Sequence, residues 1–170
     1  NDAGVITPTR TMQPFRTPSL GMTAQWTDDV HHALHARVTG ESQGYYADFA
    51  APDALRRVYE GAFLHNGGWS SFRGSRWGAP VPAGTDPRRF IIFDSNHDQV
   101  GNRATGDRPA ASLTDDAMAA EAALILLSPF TPMLFMGEEW GTRRPFQFFT
   151  DHSEPDLAQA VTQGRRREFA

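Results

Sequence analysis

Cysteine and lysine are both missing from the 170 residues. Without cysteine the chain can form neither a disulfide nor a thiolate metal site, which fits a reducing compartment and leads to the expectation of a cytoplasmic protein. All 16 basic residues are therefore arginine, and against 20 acidic ones they leave a net charge of −4. That balance argues against a nucleic-acid or anionic-membrane surface. No apolar run approaches the roughly 18 residues of a membrane span, and no basic-then-apolar leader follows Asn1. The loop-like opening NDAGVITPTR lacks a methionine, so the chain reads as cut from something longer. What is present, 39% apolar residues, suffices for a globular core.

The apolar segments alternate between strand and helix patterns, the order of parallel α/β architecture. Met22 to Trp26 is expected to be a strand, followed by a helix that Thr27 caps, that carries Asp28 and Asp29 in its first turn, and that Gly40 stops. A further helix is expected after Pro52, with Leu55, Val58, Tyr59 and Phe63 at helical spacing, and then a long Gly/Pro/Ser/Arg-rich loop from about His65 to Arg89. Phe90 to Phe93 is the second strand, and its helix runs from the Thr114 cap through MAAEAALILL to about Leu127, apolar enough to be mostly buried. Met133 to Met136 is the third, followed by the loop GEEWGTRRPFQFFTDH and a last helix capped by Ser153. Three such units do not close a (β/α)8 barrel, which usually needs about 250 residues.

The second strand runs directly into Asp94, Asn96, His97, Asp98, Gln99, Asn102 and Asp107. Ligands of α/β folds bind at the carboxyl ends of parallel strands, so a polar cluster delivered by an apolar strand is placed as a site would be; Asp, Asn and Gly also favour turns for purely local reasons. Asp94, Asn96 and Asp98 reproduce the start of a calcium loop, but Gln99 stands where glycine and Thr105 where a bidentate glutamate is required. His31 and His35 share a helix face without the glutamate of a zinc motif or a third ligand. No metal and no cofactor are expected. Trp69, Phe72, Arg73, Arg76 and Trp77 interleave rings with cations, which suits a single-stranded nucleic acid, a sugar face or a packed lid; the acidic net charge disfavours the first. Of Glu138 and Glu139, neighbours on an extended segment that point oppositely, at most one faces the site, and the other is expected to hold loop amides.

FIIFDSNHDQVGNRATGDR resembles the strand-seven segment of the α-amylase-type glycoside hydrolases, whose Asn-His-Asp signature stands in Asn96, His97 and Asp98. GMTAQWTDDVHHALHARVTGESQGYYADF, SPFTPMLFMGEEWG and PFQFFTDHSEPDLAQAVTQGRRREF resemble, in the same order, the corresponding stretches of the trehalose-releasing branch of that family, the maltooligosyltrehalose trehalohydrolases. The resemblance implies an α/β fold, a partial (β/α)8 TIM barrel of strands six to eight with their helices, and a single incomplete domain over residues 1–170 from the C-terminal portion of the catalytic barrel. It implies a retaining mechanism that releases trehalose from maltooligosyltrehalose or a related α-glucan, with no nucleic-acid or membrane partner. Retention needs a carboxylate nucleophile and a carboxylic acid about 5 Å apart. Neither is recognisable here, and Asn1-Asp2 looks like the sequence just after the family's strand-five acid, so the chain alone is expected to be inactive. By resemblance Asp98 is the third catalytic carboxylate, with His97, Asn96, Gln99, Trp26, Asp29 and Phe146 as substrate-binding residues. A glucan-branching transferase of the same family and a carbohydrate-binding piece without catalysis remain open alternatives.

Overall fold

A computed structural model of the chain describes residues 22–169. The first strand β1 (Gln25–Trp26) leads into α1 (Asp28–Thr39), which ends at Gly40 in the left-handed conformation. Then come α2 (Ala54–Gly61), an antiparallel hairpin of β2 (Trp69–Ser70) and β3 (Ser75–Arg76), β4 (Phe90–Ile92), the short α3 (His97–Gly101), α4 (Asp115–Leu126), β5 (Thr131–Pro132) and α5 (Pro155–Glu168). β1, β4 and β5 form one parallel sheet in that order, with Gln25 beside Phe90 and Ile91 beside Thr131. Consecutive strands are spatial neighbours with helices between them, the order in which a barrel wall is laid down. All three strands therefore present their carboxyl ends, and the loops that follow, on one side.

The core lies between this sheet and the α1–α2 pair. Val30 and Leu34 on α1, Val58 on α2, Phe63, and Phe90 and Ile92 on β4 are buried together, with Phe90 edge-on to Phe63 at 5.7 Å. Thr27 stands at the amino end of α1 as its sequence pattern requires, but its hydroxyl does not cap the helix. It donates instead to the Ala62 carbonyl at 2.5 Å, holding the one non-glycine residue with positive φ among those described.

Several expectations need correction. The first strand is shorter than Met22 to Trp26, and Phe63 lies beyond the helix it was assigned to. The long loop contains a hairpin. The third strand sits upstream of Met133 to Met136: its ladder comprises Thr131 and Pro132 and closes with Met133 N–H donating to the Ile92 carbonyl at 2.8 Å. Pro132 is tolerated because β5 has a neighbour on one side only among the described residues, so its missing N–H breaks no ladder bond. Ser153 does not cap the last helix; Glu154 occupies that position and Pro155 opens the first turn. α4, expected to be mostly buried, buries Glu121 and Ile125 and leaves Leu124, Leu126 and Leu127 exposed. Its apolar residues encircle it rather than forming one stripe, and of these only Ile125 joins the buried core.

Candidate active site

The loops that leave β1, β4 and β5 meet at the carboxyl side of the sheet. β4 is extended by Phe93, fully buried, after which Asp94 and Ser95 lead to Asn96. Asn96 caps α3: its Oδ1 accepts from Asp98 N–H at 2.7 Å, while its own N–H donates to Gln99 Oε1 at 2.9 Å. This reciprocal box satisfies two amides that the helix start would leave unpaired. Asn96 is only 1% exposed. The side-chain oxygens of Asn96 and Gln99 are thus committed to the backbone, and that leaves the two residues between them outward. His97 and Asp98 have side chains 63% and 61% exposed, with His97 Nε2 3.4 Å from Asp98 Oδ1.

Trp26, at the end of β1, stands next to this pair. Its ring meets Phe93 edge-on at 5.5 Å and His97 at 6.1 Å, and part of its face remains open. Asp29 does not join them. It is buried, and its Oδ2 accepts from Leu64 N–H at 2.7 Å, so it ties α1 to the segment after α2. The acid near enough to Asp98 to feel its charge is the neighbouring Asp28, whose carboxyl is pushed up by burial and then by the negative charges of Asp98 and Asp29. In the sequence Asp28 reads only as a first-turn acid, because nothing local distinguishes the two aspartates; the contact that separates them, Leu64 N–H, lies 35 residues away.

Behind the exposed pair the loops are pinned by buried polar groups. His31 Nδ1 bonds the Asp94 carbonyl, and burial holds this imidazole well below its ordinary pKa, so it is neutral. Glu138 bridges two loops: Oε1 accepts from Ser95 Oγ at 2.5 Å and Oε2 from Phe135 N–H at 2.8 Å. Glu139 accepts from Gly137 N–H at 2.7 Å, so both glutamates hold backbone, where one alone was expected to. Asp94 and Glu121 of α4 line the same small pocket as Glu138, beside Arg108. Burial first, and mutual repulsion second, raise Asp94 to about 7 and Glu121 to about 8, and burial raises Glu138 as well. A glutamate inside MAAEAALILL was the available sign that α4 meets a polar pocket.

Phe146 lies on the other flank, half-buried, edge-on to Phe135 at 5.1 Å. Its N–H donates to the Gly106 carbonyl at 2.8 Å, which fastens the loop after β5 onto the loop after α3. Gly106 has φ +67°, and a Cβ there would come within 2.5 Å of the Phe146 carbonyl oxygen, so glycine is required at this crossing. From α5, Arg165 Nη2 donates to the Gly101 carbonyl at 2.6 Å and stabilises the end of α3. The assembled surface offers an open aromatic face, an imidazole and a carboxylate side by side, and such a set can bind a polyhydroxylated ring and stabilise positive charge on it.

No protein-family model matches the chain. Among curated proteins it is 57% identical over 150 residues to a malto-oligosyltrehalose trehalohydrolase of Arthrobacter ramosus, covering 88% of this chain and 26% of that protein. It is 52% identical over 151 residues to the enzyme of that name from Mycobacterium tuberculosis, again covering 88% of the chain and 26% of the relative. It is 43% identical over 159 residues to that of Saccharolobus solfataricus, covering 94% and 28%. A crystal structure described as an alpha amylase candidate from Salmonella typhimurium superposes with a TM-score of 0.78 at 44% identity, covering 96% of this chain and 28% of that one. The chain thus spans about a quarter of the length of the curated relatives it matches. It is a homologue of one segment of the malto-oligosyltrehalose trehalohydrolases, with an α/β fold related to the TIM-barrel architecture of the α-amylase type.

Proposed function

We propose that this chain supplies three consecutive β/α units, strands six to eight, of the catalytic barrel of a retaining glycoside hydrolase that cleaves the α-1,4 bond next to the terminal trehalose of maltooligosyltrehalose. Residues 1–170 are then one incomplete domain. The nucleophile and the general acid belong to other strands of the same barrel, and the chain alone is inactive. The reading of Asn1-Asp2 as the sequence following the strand-five acid falls outside the described residues.

The observation that carries this reading is the division of labour at the start of α3. Asn96 and Gln99 absorb the helix-capping task, while Asp98, on the same turn, keeps an exposed carboxylate whose only ion-pair partner among the described residues is His97. A carboxylate held by its backbone yet free at its oxygens attracts a sugar most strongly when that sugar carries positive charge. It therefore stabilises an oxocarbenium-like transition state more than the ground state, and only such differential binding lowers the barrier. His97 donates to a hydroxyl of the same sugar, Trp26 covers its apolar face, and Phe146 shapes the trehalose side. Asn96, Gln99 and Asp29 act one step removed, by fixing the loops.

Incubating the full-length protein that contains this chain with maltotriosyltrehalose tests the proposal: trehalose should appear, and the isolated chain should release none. New α-1,6 linkages would identify a branching transferase, and binding without turnover a carbohydrate-binding piece.

A further inference from the structure

The hairpin β2–β3 has no part in the chemistry described so far. Trp69 pairs with Arg76 and Ser70 with Ser75, and the base is closed by Gly67 N–H donating to the Trp77 carbonyl at 2.8 Å and Trp77 N–H to the Gly68 carbonyl at 2.9 Å. A two-stranded hairpin is marginal by itself. This one is anchored: Ser71 N–H donates to Asp48 Oδ2 at 2.9 Å, and the same oxygen lies 3.4 Å from His65 Nε2.

So firm a mounting would ordinarily serve to bury rings, yet Trp69 is 65% and Phe72 59% exposed. Fixed, exposed aromatic surface marks a binding face. A chain of ring contacts leads from it toward Asp98. Phe72 meets Tyr45 edge-on at 5.1 Å, Tyr45 meets His32 at 4.7 Å, and His32 lies one helical turn beyond Asp28, which is near enough to Asp98 to feel its charge. The Arg73 guanidinium covers Trp77 at 3.9 Å and hydrogen-bonds Tyr45, so cationic donors stand between the rings.

We propose that the Trp69–Arg76 hairpin, with Tyr45, is a distal binding site for the glucan end of an α-linked oligosaccharide, taking the sugar units that extend away from Asp98. The proposal rests on the reading of Asp98 as a sugar-binding carboxylate. A pyranose offers an apolar C–H face that lies on an exposed ring, and an equatorial set of hydroxyls that arginine and aspartate satisfy; rings and donors alternate here at that scale. A nucleic acid would also stack, but Asp48 at the hairpin's base and Asp28 toward Asp98 would repel its phosphates.

The test uses the full-length protein with Trp69→Ala, Phe72→Ala and the ring-keeping Trp69→Tyr. The ratio of kcat/KM for maltopentaosyltrehalose over maltotriosyltrehalose should fall about fivefold to tenfold in each alanine variant and recover in Trp69→Tyr. Calorimetric titration of maltoheptaose into an Asp98→Asn background should lose affinity by a similar factor when Trp69→Ala is added. Unchanged length preference and unchanged affinity would overturn the proposal. So would a lower melting temperature with both quantities intact, because the hairpin would then be covered by other parts of the protein. If no trehalose is released by the unsubstituted protein but Trp69→Ala still weakens maltoheptaose, the reading of Asp98 fails and the hairpin site stands.

Discussion

Replacing Asp98 by asparagine removes a charge while changing almost nothing else. The backbone N–H of residue 98, not its side chain, serves the Asn96 cap, and the carboxylate has only His97 within ion-pair distance among the described residues. Thermal stability should therefore move little, within the range of about 0.5 kcal/mol typical of exposed positions. The catalytic effect follows from the dielectric. At about 4 Å a carboxylate attracts a unit positive charge by about 1 kcal/mol in bulk water and about 4 kcal/mol at an effective dielectric near 20. With a side chain 61% exposed, Asp98 sits near the lower limit until a substrate covers the cleft, and near the upper one afterwards. Asp98→Asn in the full-length protein should cost about 4 kcal/mol of transition-state stabilisation, a fall in kcat of about 10³, with a much smaller change in substrate affinity. Steady-state kinetics on maltotriosyltrehalose, with a thermal melt alongside, reads both. Retention of more than about a tenth of kcat would put the loss below roughly 1.4 kcal/mol and reduce Asp98 to a loop residue.

Glu138→Ala should weaken both stability and kcat, because it leaves Phe135 N–H and Ser95 Oγ without their acceptor and frees the loop that carries Asp98; a cost of about 1–3 kcal/mol in chemical denaturation is expected, with Glu138→Gln recovering part of it. Stability should fall as pH rises from about 6.5 to about 8; below that, the buried His31 and His32, neutral in the fold and protonated when unfolded, oppose the trend. Asp94 and Glu121 keep their protons in the fold to about 7 and 8 but ionise near 4 when unfolded, so the folded chain binds more protons across that window and loses stability as they leave; Glu121→Gln should flatten the profile measured by melts at successive pH values. The isolated chain should elute from size exclusion as large, dye-binding species, since Leu126, Leu127, Trp140 and Phe149 are exposed and β5 has an open edge among the described residues. A monomer that melts sharply would show the segment to be self-sufficient.

Much of this protein can be read from short range. The acids of the first turn and Gly40 bracket α1 because dipole and left-handed preferences are local properties, and Thr114 opens α4 by a local cap. The run of apolar residues into Asn96, His97 and Asp98 likewise announces a strand end bearing polar groups. Which of those groups is free to act was settled by contacts made across the fold. Asn96 spends its oxygen on the Asp98 amide and Gln99 its own on the Asn96 amide, Asp29 is claimed by Leu64, and the neighbouring Asp28, the same residue type one position away, is left within reach of Asp98's charge. The hairpin was hidden because Gly, Ser and Arg carry no alternating pattern over two-residue strands; Asp48 and His65, outside the segment, anchor it. Glu138 reads as one of a pair until Ser95, 43 residues upstream, is brought to its carboxylate. Propensity acts over a turn or two of chain, whereas the assignment of each polar group to structure or to chemistry depends on which distant donors the packing brings within 3 Å, and only the tertiary structure decides that.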